Sequence, residues 1–199
     1  MKRHMSDSTG NNLLPKKYIP LILLTFNLLY GCEDKKLEEQ QIDPKNLFKF
    51  VLKDVNPNSK SYNNDIGPTL FNGRVSVYYF GDPGWGTCRS RFGVLNYLSQ
   101  DLNQNGQNIA ILGISGRKHS ESDIPKMIEG ATLPWAHDNV DQDVWTKWDV
   151  RLRDLYILDK EGNLYGLVNL TNFDPNPQIN GGKNYNDLKQ LILDAKTRK

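Results

Sequence analysis

Cys88 is the residue with the most chemistry to offer, in the segment Gly81-Asp82-Pro83-Gly84-Trp85-Gly86-Thr87-Cys88-Arg89. A thiol at the junction of a strand and a helix sits where the partial positive charge of the helix N-terminus favours the thiolate, and Arg89 and Arg91 add charge of the same sign. Burial in the first helical turn works the other way, because desolvation disfavours the charged form. A dithiol site needs a second sulfur one to three residues upstream, and Trp85 stands three residues before Cys88 instead. The candidate site is therefore Cys88, with Trp85, Gly86, Thr87 and Arg89 as its neighbours on the loop.

The chain has one other cysteine, Cys32, in a different setting. Lys16 and Lys17 precede an apolar run at residues 18–30, too short to span a bilayer, which ends in Leu29-Tyr30-Gly31-Cys32. That ending resembles the lipobox of bacterial lipoproteins, in which the peptide is cut before the cysteine and the cysteine carries the lipid. The resemblance implies a signal peptide at 1–31, a polar tether at 32–46 and a folded domain at 47–199. It also implies a cell-envelope location on the exported side, with the membrane as a partner through Cys32. A lipidated Cys32 leaves Cys88 as the lone free thiol, so no intramolecular disulfide forms. A redox cycle then runs through a sulfenic acid, a mixed disulfide with a small or protein thiol as reductant, or a disulfide-linked dimer through Cys88.

The elements that must position Cys88 are legible from hydrophobic pattern. Residues 74–80 are almost continuously β-branched and aromatic, as in a strand buried on both faces. Phe92, Leu95, Leu98 and Leu102 follow at helical spacing, Gly106 closes that helix, and residues 108–114 form the next buried strand. Residues 48–55 read as a further strand, 56–64 as a loop, 122–129 and 141–148 as short helices, and 134–136 as a short strand. Residues 154–159 and 164–168 flank Lys160-Glu161-Gly162-Asn163, a hairpin signal. A last helix carries Leu188, Leu191, Ile192 and Ala195 on one face.

Three blocks carry a resemblance: Gly73-Arg74-Val75-Ser76-Val77-Tyr78-Tyr79 leading into the Cys88 loop, Leu133-Pro134-Trp135 with Asp143-Val144-Trp145-Thr146, and Asp154-Leu155-Tyr156-Ile157-Leu158-Asp159 with Gly162-Asn163-Leu164-Tyr165. Residues 47–192 resemble the thioredoxin-like redoxins and, within them, the N-terminal domain of selenoprotein P and its bacterial relatives. The resemblance implies an α/β fold, a thioredoxin-like three-layer sandwich with a mixed central sheet and helices on both faces. In selenoprotein P the site is selenocysteine-x-x-cysteine, which aligns Cys88 with the resolving cysteine and Trp85 with the selenocysteine. A second placement aligns Trp85 with the tryptophan that precedes Cys-x-x-Cys in thioredoxins. Both lose the attacking residue. Asp154 falls where thioredoxins carry a cis-proline.

Other polar residues offer less. His119 and His137 follow predicted strands, without the tight spacing of a metal site, and no cofactor is implied. Trp145 and Trp148, three apart, read as packing residues, and the Asn169-Leu170-Thr171 sequon reads as a strand end. Charges nearly cancel at +2 over 199 residues without a basic stripe, which excludes a nucleic-acid partner. The leading expectation is an exported, membrane-tethered thiol oxidoreductase or one-cysteine peroxidase acting through Cys88; the alternative is a redox-inactive binding module that uses Trp85, which is expected to be partly exposed. Exposure of Cys88 discriminates between them.

Overall fold

A computed structural model describes residues 47–198, so the signal, tether and Cys32 expectations lie outside the described residues. Strands β1 (Leu52–Lys53) and β2 (Asp65–Ile66) form a small antiparallel pair. They are followed by β3 (Ser76–Phe80), α1 (Gly86–Gln104), β4 (Ala110–Ser115), α2 (Ile124–Met127), β5 (Trp135–His137), α3 (Val144–Lys147), β6 (Asp154–Leu158), β7 (Leu164–Asn169) and α4 (Lys183–Thr197). The main sheet has the order β5-β4-β3-β6-β7, with β5, β4 and β3 parallel and β6 and β7 antiparallel to their neighbours.

Strand β3 lies at the centre because it can be buried on both sides. Val77 and Tyr79 point into one core and Tyr78 and Phe80 into the other, as the period of two requires. On the first face α1 contributes Phe92, Leu95, Leu98 and Leu102, α2 contributes Ile124 and Met127, and α4 contributes Tyr185, Leu188, Ile192 and Ala195. Gly113 in β4 leaves room on this face for the Trp135 ring, since a Cβ there would stand 2.2 Å from it. On the second face Phe50, Leu52, Ile66, Val144 and Trp148 cover the sheet. Trp148 meets Phe48, Phe50, Tyr78, Phe80 and Tyr156 with ring centroids 4.9 to 5.6 Å apart. It is the packing residue its spacing predicts. The mixed sheet with helices on both faces is the thioredoxin-like α/β sandwich expected from the sequence.

Three elements are shorter than their patterns predict, the first being the helix expected over 122–129, which is Ile124–Met127 entered through a 3-10 turn at Glu121–Asp123. The strand expected over 48–55 pairs only at Leu52–Lys53, because the next residue, Asp54, turns its carboxylate inward. That carboxylate accepts from Ser59, from Ser61 Oγ at 2.7 Å, and from the Asn56 and Trp135 amides at 2.9 and 3.1 Å. The helix expected over 141–148 is one turn, Val144–Lys147, bracketed by Asp143 and Asp149 at φ of 41° and 50°. The buried Asp138 carboxylate accepts from the amides of Val144 and Trp145 at 3.1 and 3.0 Å and fixes where that turn begins.

Candidate functional site

The candidate site is the loop from β3 into α1. Gly81 must be a glycine, since a Cβ would meet the Tyr79 ring at 2.8 Å. Asp82 Oδ1 accepts from the Gly84 amide at 2.9 Å, and the Trp85 amide donates to the Asp82 carbonyl at 3.1 Å, closing a tight turn. Trp85 is the N-cap of α1, with extended φ and ψ of −96° and 122° and no side-chain capping bond. Gly86, Thr87 and Cys88 form the first turn.

Within that turn the expected neighbours separate. Trp85 is 56% exposed, and Gly86 and Thr87 are exposed, whereas Cys88 is 0% exposed. Cys88 packs in the same core as Val77, Tyr79 and Phe92 and is a free thiol. The Tyr79 hydroxyl donates to the Cys88 carbonyl at 3.2 Å. Burial pushes the Tyr79 phenol well above its ordinary range, and the adjacent Cys88 side chain, in hydrogen-bond contact with it, adds to that.

The arginines do not converge on the sulfur as the sequence implies. Arg89 donates to the Pro83 carbonyl at 2.7 Å and braces the loop. Arg91, 8% exposed, donates through Nε to the Leu170 carbonyl at 3.0 Å and pairs with Asp174 at 2.7 Å, which ties residues 170–174 to α1.

The residue the sequence did not flag is Arg153. Its amide donates to the Phe80 carbonyl at 2.8 Å, its φ is +71°, and its guanidinium lies 5.8 Å from the centroid of the Trp85 ring. Arg153 Nη1 also donates to Thr171 Oγ1 at 3.0 Å. Asp154, placed by resemblance where a cis-proline would face the site, is instead buried and accepts from the Arg151 amide at 2.7 Å and Asn169 Nδ2 at 2.8 Å. Asn169 ends β7, as expected of a strand-end residue. Nothing local in the sequence marks Arg153, because the pairing of β6 with β3 is what brings it to Trp85.

His119 and His137 lie near the carboxyl ends of β4 and β5, on the side of the loop. His119 Nε2 is 3.8 Å from Asp82 Oδ2, and His137 Nε2 is 3.5 Å from Glu121 Oε1. Among the described residues no group of three or more histidines, cysteines or acids is arranged to hold a metal ion. A groove of about 730 Å³ lined by Phe71, Arg74, Asn103, Asn108 and Leu133 opens at the start of β4, remote from the loop.

No protein-family model matches the chain. No curated protein matches it either. Solved structures do. A proposed protein disulfide isomerase from Bacteroides thetaiotaomicron superposes with a TM-score of 0.57 at 17% identity, covering 75% of this chain and 87% of that one. A thiol:disulfide interchange protein of the thioredoxin family from Chlorobium tepidum gives 0.54 at 12% identity over 74% and 92%. A secreted Mycobacterium tuberculosis disulfide oxidoreductase gives 0.53 at 13% identity over 74% and 97%. The chain has the thioredoxin-like fold.

Proposed function

We propose that this chain is a thioredoxin-fold binding module in which the loop of residues 81–87 and the exposed Trp85 ring recognise a protein segment presenting an apolar side chain. The observation that carries this reading is the contrast within one helical turn: Cys88 is 0% exposed and Trp85 is 56% exposed. A redox thioredoxin site needs an accessible thiolate to attack, and the accessible position here holds an indole. Exposed tryptophans next to arginines are the residue types that anchor protein interfaces. The likeness to selenoprotein P domains belongs to this reading, with the attacking residue replaced. So does lipidation at Cys32, which would hold the domain on the exported side of a bacterial cell envelope.

A second reading has its own support. The solved structures sharing the fold are thiol-disulfide oxidoreductases, and Cys88 occupies the helix start where thiol chemistry is favoured. In that reading the Cys88 thiolate attacks a peroxide, the alkoxide or hydroxide leaves, and an external thiol displaces water from the sulfenic acid to give a mixed disulfide. A second thiol then restores Cys88.

Selection of peptides on the immobilised domain tests the first reading. Enriched peptides are expected to carry an apolar or aromatic residue and to lose about tenfold or more in affinity on Trp85→Ala, the size of one interface anchor. Peptides that bind Trp85→Ala equally well would show that the recognition surface lies elsewhere.

A further inference from the structure

We propose that the groove at the start of β4 binds a small carboxylate carried on an apolar, ring-sized body. The groove holds about 730 Å³, a volume in the range of ligand sites, and its walls come from residues 60–64, from the end of α1 and from residues 132–134. It opens at the amino ends of the parallel strands, whereas the Trp85 loop follows the carboxyl end of β3, so the two surfaces are independent.

Charge says what the groove accepts. Its lining includes two cations, Lys60 and Arg74, and neither an aspartate nor a glutamate. Elsewhere arginines lie against carboxylates: Arg91 on Asp174 at 2.7 Å, Arg117 on Asp143 at 2.9 Å and Arg198 on Asp159 at 3.3 Å. Lys60 and Arg74 have no carboxylate partner among the described residues. The acids that flank the lining in sequence are committed to other lysines, Asp65 to Lys53 at 2.8 Å and Asp101 to Lys189 at 2.6 Å.

Arg74 is also held in place. Its guanidinium lies over the Phe71 ring, 5.0 Å from the centroid, and its amide donates to the Phe71 carbonyl at 3.0 Å. Its Nη1 donates to Asn108 Oδ1 at 3.2 Å. Asn103 steadies that partner by clamping the next residue, accepting from the Ile109 amide at 2.9 Å and donating to the Ile109 carbonyl at 3.1 Å. These contacts engage a face and one nitrogen of the guanidinium, and its Nε and Nη2 donors have no partner of their own among the described residues. Two N–H groups along one edge match the two oxygens of a carboxylate, and a side chain already ordered loses little freedom on binding. An ion pair in open water contributes little by itself, so affinity must also come from apolar contact. Phe71, Leu133 and Pro134 supply it in the same groove, which is why the ligand needs a ring as well as a charge.

The test follows the full chain by nitrogen-proton correlation spectroscopy as 2-naphthoate is added. The amides of Arg74, Asn108, Ile109 and Thr132 are expected to shift together and to saturate at millimolar concentration or below, while those of residues 84–88 stay still. 2-Naphthamide, which has the rings without the charge, and acetate, which has the charge without the rings, should each bind about tenfold more weakly or worse. Arg74→Gln should weaken 2-naphthoate about tenfold, and Arg74→Lys should restore only part of the loss, because an ammonium lacks the planar fork. Lys60→Gln should weaken it about threefold, an arm that stands even if Arg74→Gln does not fold. No saturable shift at these amides, shifts at residues 84–88 instead, equal binding of 2-naphthamide, or an affinity unchanged in Arg74→Gln and Lys60→Gln would each overturn the proposal.

Discussion

Trp85→Cys asks whether the exposed N-cap is the emptied half of a dithiol site. In the full chain with Cys32→Ser, the variant has two thiols, at 85 and 88. Side chains three apart inside a helix have Cβ atoms about 5–6 Å apart, too far for the ~3.5–4.5 Å of a disulfide. Trp85, however, is the N-cap with extended dihedrals, so it is not held to that spacing. Closing the short loop of residues 85–88 lowers the entropy of the unfolded chain by an amount worth about 2 kcal/mol. Removing the indole costs stability as well. With 56% of Trp85 already exposed, the buried part is worth about 2–3 kcal/mol at most. That loss is common to both redox states, so the difference between oxidised and reduced melts isolates the cross-link. For a domain of this size 2 kcal/mol corresponds to about 4–8 °C. Thermal melts with and without reductant, with the thiols counted by alkylation and mass spectrometry, should show the oxidised variant melting higher by that amount and the parent unaffected by reductant. Identical melts with two free thiols would show that position 85 does not address Cys88 and would refute the reading of this loop as a redox site missing one thiol.

Further outcomes follow from the packing. Gly113→Ala should destabilise the domain by about 3 kcal/mol in chemical denaturation, because its Cβ would stand 2.2 Å from the Trp135 ring and 2.9 Å from Phe92. Arg91→Met should cost about 2 kcal/mol and raise amide exchange at residues 170–174, since it removes the partner of Asp174 and of the Leu170 carbonyl. At alkaline pH, burial pushes Tyr156 up to about 12 and raises Tyr78 and Tyr185 further. A phenol whose folded value exceeds the unfolded value of about 10 contributes stability that is whole below pH 10 and lost as pH rises toward 12. The phenolate signal lost on Tyr78→Phe, Tyr156→Phe or Tyr185→Phe should therefore appear together with loss of far-ultraviolet ellipticity above pH 10. Ionisation of these three tyrosines at pH 10 while the ellipticity holds would contradict it.

Pattern made β3, α1, β4, the β6–β7 hairpin and α4 readable, because each has one face or both faces committed to a core and the periods of 2 and 3.6 are visible in Val77, Tyr79, Phe92, Leu95 and Leu188. The short elements were harder. β1 ends where Asp54 turns inward, and α3 is one turn between two left-handed aspartates. Both outcomes depend on side-chain hydrogen bonds that no periodicity records. At the site, the exposure of Trp85 followed from its glycine neighbours and its place at a helix start. Arg91 was misjudged because its position suggested service to the Cys88 thiol, while its partner Asp174 is remote in sequence. Arg153 was invisible for the same reason: only the packing of β6 beside β3 brings it to Trp85.

The central claim is that the free thiol of the folded domain is closed to reaction while the indole beside it is open. The rate of Cys88 alkylation against pH, in the chain with Cys32→Ser, tests this directly. The account predicts slow labelling at every pH that keeps the domain folded, rising only with denaturant as the core around Cys88 opens. Rapid labelling of the native protein with a midpoint well below ~8.5, the free-thiol value, would contradict it and make Cys88 the working thiol of an oxidoreductase.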